Sequence, residues 1–246
     1  MNGNSYYFSR EGTWGRNKNM DAVYQQMWHS GWPLINANQV KQDPYLNGNA
    51  DTRRGITLLA RIKSPVCESF SGFLAKMQQL EPEQYYYPMS DMHVTVLSVL
   101  SCQAGYQVAP EDIPHYVELI QNIVNKTPCF NLEFKGITLA DSGVIVCGYV
   151  ADDSLAELRA ELRQQIGASA LAHSMDLRYT LVTAHSTVCR FRRKLRGPKV
   201  FAEFSQANQE LSFGNLTVTE LELVVNDWYQ CHANTQLLAN ISLLKP

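Results

Sequence analysis

Residues 92–100 of the chain are Met92-His93-Val94-Thr95-Val96-Leu97-Ser98-Val99-Leu100. The segment is rich in β-branched residues and lacks Gly and Pro, which predicts a strand buried on at least one face. Residues two positions apart in a strand project from the same face. The pattern therefore places the His93 imidazole beside the Thr95 hydroxyl, while Val94 and Val96 point the other way into apolar packing.

A second segment repeats this arrangement. Residues 179–191 are again β-branched and strand-like, and they carry His185-Ser186-Thr187, with His185 lying 92 positions after His93 (185 − 93). The predicted helix starts recur at almost the same offset, at residues 66 and 153 (87 positions) and at residues 112 and 198 (86 positions). This approximate repeat predicts two structurally similar lobes.

Apolar periodicity and turn residues predict the elements around the two motifs. Helices are expected after Pro65, from Asp112 with Pro114 in the first turn, from Asp152 or Asp153 to Gly167, and from Gly197-Pro198. Strands are expected at residues 55–62, 130–134, 144–150, 211–218, 221–228 and 237–244. This order predicts an α+β fold of two pseudo-symmetric lobes, each a mostly antiparallel sheet flanked by helices.

The first part of the chain has a different character. Residues 1–52 are polar and Asn-rich, with one short helical segment at Asp21–His29 that Gly31 and Pro33 are expected to close. We interpret residues 1–52 as an arm packed on the body and residues 53–246 as a single bilobal domain.

Composition and charge exclude several classes of protein. With 246 residues, 45% hydrophobic and 18% charged, the chain is long enough for a sizeable core, and its net charge of −2 argues against gripping long nucleic acid by bulk charge. The N-terminus is polar and the apolar runs are too short to span a membrane, so we expect a soluble, cytoplasmic protein without membrane contact. The six cysteines show no metal-binding spacing, so we expect free thiols and neither a metal nor a cofactor.

The paired motifs suit acid–base chemistry. An imidazole has an ordinary pKa near 6.5, so two of them in one cleft can act as base and acid in a displacement at phosphorus, with no metal required. The hydroxyls of Thr95 and Thr187 would then donate to the phosphoryl oxygens. The alternative is that each histidine is a half-buried strand residue satisfied by a neighbouring hydroxyl.

Duplicated H-x-[ST] motifs on paired strands about 90 residues apart resemble the two-histidine (2H) phosphoesterase superfamily. The resemblance covers about residues 53–244 and depends on His93, Thr95, His185 and Thr187, with weaker support from residues 51–55 and 221–229. It implies a central cleft with these four residues at its floor, metal-independent opening of a cyclic phosphate, and a monomer. The N-terminal arm is longer than in the compact members of that superfamily.

For other residues the sequence predicts ligand contact less strongly. Tyr87, Arg53 and Tyr229 are candidate substrate-binding residues, through aromatic stacking or phosphate contact, although packing in the core or between the lobes is the better explanation of such aromatics. Six basic residues between Arg190 and Lys199 either steer a phosphate or RNA tail or form a solvated strand end. The other four histidines are interpreted as surface or cap residues.

The sequence thus predicts a phosphoesterase that hydrolyses a 2′,3′-cyclic phosphate or a related RNA-derived phosphodiester, and its partner is a small nucleotide or an RNA end. Three alternatives stay open: a nucleotide- or RNA-binding module without turnover, an activity on 2′-5′ linkages of the RNA ligase type, and a purely structural role for the histidines. The sequence does not distinguish which histidine is the base.

Overall fold

A computed structural model of the chain describes residues 14–47, 51–177 and 179–245. Within these ranges lie five α-helices: α1 (Trp14–Asn36), α2 (Val66–Leu80), α3 (Ile113–Val124), α4 (Ser154–Ala168) and α5 (Pro198–Ala207). The same ranges contain nine strands: β1 (Arg53–Arg61), β2 (Tyr85–Tyr86), β3 (His93–Ala104), β4 (Phe130–Ala140), β5 (Gly143–Val150), β6 (Ser186–Arg190), β7 (Ser212–Val218), β8 (Glu220–Asn226) and β9 (Gln236–Ser242). Short 3-10 helices lie at Pro44–Asn47, Met89–Asp91 and His232–Asn234.

The strands form two sheets whose neighbours all run antiparallel. The first sheet has the order β3-β1-β8-β9 and the second has the order β2-β6-β5-β4-β7. Apart from the short β2, the two orders correspond position by position, and β3 and β6 hold the same place. The α+β fold with two similar, mostly antiparallel lobes is therefore confirmed.

The helices cross between the lobes. Helix α2 connects β1 to β3 of the first sheet, yet its Phe70 ring lies 5.4 Å from Phe134 on β4 and 5.2 Å from Phe213 on β7, both in the second sheet. Helix α4 connects β5 to β6 of the second sheet, yet its Arg159 side chain donates to carbonyls of β3 in the first. Each sheet is thus covered by a helix from the other half.

Helix α1 is longer than predicted, because neither Gly31 nor Pro33 ends it. A Cβ at position 31 would lie 2.3 Å from the carbonyl oxygen of Leu139 on β4, so the glycine permits close approach of helix and sheet. Tyr24 ties α1 to the second sheet by donating its hydroxyl to the carbonyl of Gly148, at 2.9 Å. The tertiary packing outweighs the local signals that predicted a stop at these residues.

One strand prediction also needs correction. Only Ser186–Arg190 of the segment 179–191 is a strand, because backbone carbonyls of the preceding residues are bonded elsewhere: Arg159 donates to the carbonyl of Thr183, and Arg163 donates to that of Leu181. Strand β1 lies where the sequence predicted it and is buried along residues 55–60 on both faces, with Thr57 only 3% exposed. The short strand β2 was not predicted.

The remaining elements agree with the prediction to within a few residues. In the described ranges, no helix has both the length and the apolar character needed to cross a membrane.

Candidate functional site

The two motifs meet in one cleft of about 200 Å³. His93, Thr95, His185 and Thr187 all line it, so the structure brings together residues that are 92 positions apart in the chain. The rest of the lining is Thr57, Tyr87, Leu97, Ser98, Ser101, Cys102, Ser174, Asp176, Tyr179, Leu181, Arg190, Asn226, Trp228 and Gln230.

His93 is the first residue of β3, directly after the turn Met89–Asp91. Its Nδ1 lies 2.7 Å from the backbone carbonyl oxygen of Asp91, which can only accept a hydrogen bond. Nδ1 therefore carries the proton, and Nε2 keeps the free lone pair. The Asp91 carboxylate is buried and accepts from the backbone amide of His232 and the hydroxyl of Ser90, which fixes the turn that orients the ring.

His185 precedes β6 and has a different partner. Its Nδ1 lies 2.7 Å from the hydroxyl oxygen of Thr183, which is itself 4% exposed. A hydroxyl both donates and accepts, so this contact is compatible with either tautomer and with the protonated ring. The two imidazoles thus differ in the partner of Nδ1, which is a backbone carbonyl at His93 and a hydroxyl at His185.

Burial is the main cause of a low pKa at both histidines. It lowers the pKa of His93 to about 4, helped by the positive charges of Arg61 and Arg190. It also lowers the pKa of His185 to about 4, helped by Arg159, His93 and Arg190. Both rings are therefore neutral at pH 7. A bound phosphate anion would act in the opposite direction and raise both pKa values.

Arg190, the first of the six basic residues named from the sequence, supplies a positive charge to the cleft. Its Nε donates to the Tyr87 hydroxyl at 2.8 Å, and within the described ranges it forms no ion pair with a carboxylate. The five basic residues that follow it are exposed or partly exposed, as expected of a solvated run: Arg192, Arg193, Lys194, Arg196 and Lys199. The cluster therefore divides into one residue of the cleft and a surface group.

A bulge explains why Arg190 shares a face with Thr187. Strict alternation would place residues three positions apart on opposite faces. Here Val144 pairs with Cys189 and Ile145 pairs with Thr187, so Val188 is an extra residue on β6. The extra residue reverses the alternation of side-chain direction for the residues after it, so the Arg190 side chain points toward the cleft. The strand periodicity of the sequence does not predict this direction.

The three candidate substrate-binding residues lie at different depths. Tyr87 lines the cleft, whereas Arg53 and Tyr229 are absent from its described lining. Arg53 forms a bidentate pair with Asp51, and its guanidinium carbon lies 4.7 Å from the ring centre of Trp228, which does line the cleft. Arg53 therefore contacts a residue of the cleft lining without being part of that lining. Substrate contact by Tyr87, Arg53 or Tyr229 stays a prediction.

Several cleft residues had no signal in the sequence, notably Thr57, Ser174, Asn226 and Gln230, because they come from elements far apart in the chain. The other four histidines (His29, His115, His173 and His232) lie outside the cleft at exposed or partly exposed positions, as predicted. All six cysteines are free thiols. Across the described residues, no group of three His, Cys, Asp or Glu side chains is placed to hold a metal ion.

Comparison with known proteins agrees with this geometry. A family model described as the 2′-5′ RNA ligase superfamily matches residues 66–229. No curated protein gives a significant match.

Solved structures of similar fold cover most of the chain. TT0787 of Thermus thermophilus is 14% identical, with a TM-score of 0.53 over 78% of this chain and 97% of TT0787. LigT of E. coli in complex with 3′-AMP is 15% identical, with a TM-score of 0.54 over 78% of this chain and 99% of LigT. The LigT complex with phosphate is 16% identical, with a TM-score of 0.50 over 79% and 99% of the two chains. At these identities the likeness shows a shared fold.

Proposed function

The chain belongs to the 2′-5′ RNA ligase superfamily of 2H phosphoesterases, and from this premise we propose that it hydrolyses a 2′,3′-cyclic phosphate or a related RNA-derived phosphodiester without a metal. The substrate would be a small nucleotide or an RNA end. The proposal includes a monomer in the cytoplasm, a reducing compartment in which six free thiols are the ordinary state.

One observation carries the proposal: both histidine–threonine pairs and the Arg190 guanidinium line the same small cleft. Two imidazoles, two hydroxyls and one cation are the groups that an in-line displacement at phosphorus needs. The LigT complexes with 3′-AMP and with phosphate support a phosphate-bearing ligand for a cleft of this fold.

The unequal partners of the two rings favour His93 as the base. Its Nε2 lone pair can take a proton from the attacking water, and the carbonyl of Asp91 accepts from Nδ1 before and after that transfer. The imidazolium that forms is therefore supported without any rearrangement. Acid and base contributions of this kind are each worth about 10²- to 10⁴-fold in rate.

His185 would then be the acid, in the protonated form that it takes once the phosphate anion of the substrate has raised its pKa. The charge of Arg159 is among the causes that lower its pKa, and a lower pKa makes the protonated ring a stronger acid. The water oxygen forms a bond to phosphorus while the bond to one ribose oxygen breaks, and His185 gives its proton to that oxygen. The product is a phosphomonoester, and solvent exchange returns the proton from His93 to His185. Thr95, Thr187 and Arg190 would hold the phosphoryl oxygens.

The family description also favours a second candidate, action on 2′-5′ linkages. The same residues can catalyse it, because base and acid exchange roles when a phosphoryl transfer is reversed. A binding module without turnover would have the same cleft, so the experiment must separate these outcomes.

The test is hydrolysis of the four nucleoside 2′,3′-cyclic phosphates in excess EDTA. We expect turnover by the native protein and a loss of at least about 100-fold in His93→Ala and in His185→Ala. His115→Ala, at an exposed position outside the cleft, is the matched control. Strict metal dependence, or full activity in either cleft variant, would contradict the mechanism.

If the native protein turns over none of the four, a 2′-5′-linked oligonucleotide and the melting temperature with each nucleotide decide among the alternatives. Cleavage or ligation of the oligonucleotide would indicate the second candidate. A raised melting temperature without product would indicate a binding module.

A further inference from the structure

Arg159 is a charged residue in the interior that the mechanism above does not bring into contact with substrate. It lies on α4 among the buried residues Leu155, Leu158 and Leu162, and it is 2% exposed. Burial lowers the pKa of Arg159 to about 9, which leaves the guanidinium charged at neutral pH. Within the described ranges no carboxylate pairs with it. Since an unpaired buried charge is costly, its retention calls for an explanation.

The hydrogen bonds of Arg159 join the two motif segments. Its Nε donates to the backbone carbonyl oxygen of Val96 at 2.8 Å. One terminal nitrogen donates to the backbone carbonyl oxygens of Thr95 and Thr183, each at 2.9 Å. Thr95 belongs to the first motif, and Thr183 holds the ring of His185 in the second. One rigid, planar group thus touches both halves of the site.

No ladder of backbone hydrogen bonds connects these segments directly. Strand β3 pairs with β1 in the first sheet, whereas β6 pairs with β2 and β5 in the second. The backbone joins them at one place, where the Tyr87 amide donates to the Val188 carbonyl and the chain then runs on to His93. Arg159 adds three hydrogen bonds between the two motif segments.

We infer that Arg159 is a positioning residue, which sets the separation of the two histidine motifs and holds a fixed positive charge behind His185. The inference rests on the proposed function and deepens it. It assigns Arg159 no contact with substrate, because the three hydrogen bonds that it makes among the described residues all go to backbone carbonyls and it is absent from the described lining of the cleft. It explains the missing counter-ion, since the anion that balances this charge is the phosphate of the ligand.

Arg163 provides a matched control on the same helix. It lies one turn further along α4, where its Nε is 2.6 Å from a carboxylate oxygen of Asp176 and a terminal nitrogen donates to the Leu181 carbonyl at 3.2 Å. Among the described residues it makes no hydrogen bond to β3. Arg163→Met therefore removes the same kind of side chain from α4 without breaking the link between the motifs.

The experiment follows the His185 ring by NMR during a pH titration, with EDTA and without substrate, and measures kcat and KM on a cyclic phosphate. We expect Arg159→Met to raise the His185 pKa from about 4 toward 6.5 and to lower kcat by roughly 10- to 100-fold with little change in KM. Arg163→Met should leave the His185 pKa unchanged and should lower kcat less than Arg159→Met does, although it frees two residues of the cleft wall.

Arg159→Lys separates charge from geometry and provides a variant if Arg159→Met does not fold. Lysine keeps the positive charge but loses the planar fork, so the His185 pKa should stay low while kcat falls. A folded Arg159→Met with an unchanged His185 titration, or Arg159→Lys with native kcat, would overturn the inference. If the native protein turns over no cyclic phosphate, the proposed function fails, and the titration alone still decides the role of Arg159.

Discussion

The low pKa values of the two motif histidines make the stability of the protein depend on pH in a predictable window. In the unfolded chain each ring has its ordinary pKa near 6.5, whereas in the fold burial holds each at about 4. Between these values the unfolded chain binds more protons than the native one. The contribution to stability is therefore fully present above pH 6.5 and is lost as the pH falls from 6.5 to 4.

The size of the effect follows from the same values. At pH 5 the difference in pKa between folded and unfolded chain lowers the free energy of unfolding by about 2 kcal/mol for each ring. Because both rings are half-buried, solvent screening reduces this loss to about 1–2 kcal/mol. The perturbation is the double variant His93→Gln with His185→Gln, which removes both titrating groups. The free energy of unfolding should therefore fall by about 2–4 kcal/mol more in the native protein than in the variant between pH 7.5 and pH 5.

The assay is urea denaturation of both proteins at pH values of about 7.5, 6 and 5. All other titratable groups are common to both proteins, so their contributions cancel in the comparison. His115→Gln, an exposed control, should show the native pH dependence. Parallel pH dependence in the native protein and the double variant would show that the two imidazoles titrate normally, and it would refute the burial argument.

Two further predictions concern other positions. Arg190→Lys should raise KM for a cyclic phosphate by about 10-fold or more, because lysine cannot keep both the bond to Tyr87 and a forked contact to phosphate. Steady-state kinetics measure this change, and an unchanged KM would show that Arg190 does not bind the substrate. Gly31→Ala should destabilise the fold by about 1–3 kcal/mol, because its Cβ would meet the Leu139 carbonyl. Gly72→Ala, whose Cβ would lie in open space, should be neutral or stabilising. Urea denaturation measures both, and equal effects would contradict the close approach of helix α1 to β4.

Periodicity predicted the elements whose burial follows local rules. Helices α2 and α4 carry apolar residues at spacings of three and four, and β3 has an uninterrupted β-branched run, so their type and place follow from sequence. The recurrence of helix starts and motifs predicted the duplicated sheets. The division into an arm at 1–52 and a body at 53–246 stays a prediction.

The errors occur where tertiary contacts outweigh local signals. Gly31 marks close packing on β4 instead of a helix end, and residues 179–185 give their carbonyls to Arg159 and other groups instead of to a ladder. The site was predicted as four residues, and all four line one cleft. Arg190 was undervalued because a bulge reverses alternation without any mark in the sequence.

The crossed helices limit how the two lobes can move. A hinge motion that parted the sheets would draw Phe70 away from Phe134 and Phe213 and would break the hydrogen bonds of Arg159. Such an opening would expose buried aromatic surface to water, so it resembles partial unfolding more than a domain rotation. The width of the cleft is consequently fixed when the chain folds, and a ligand must enter past side chains at the mouth instead of between separating lobes.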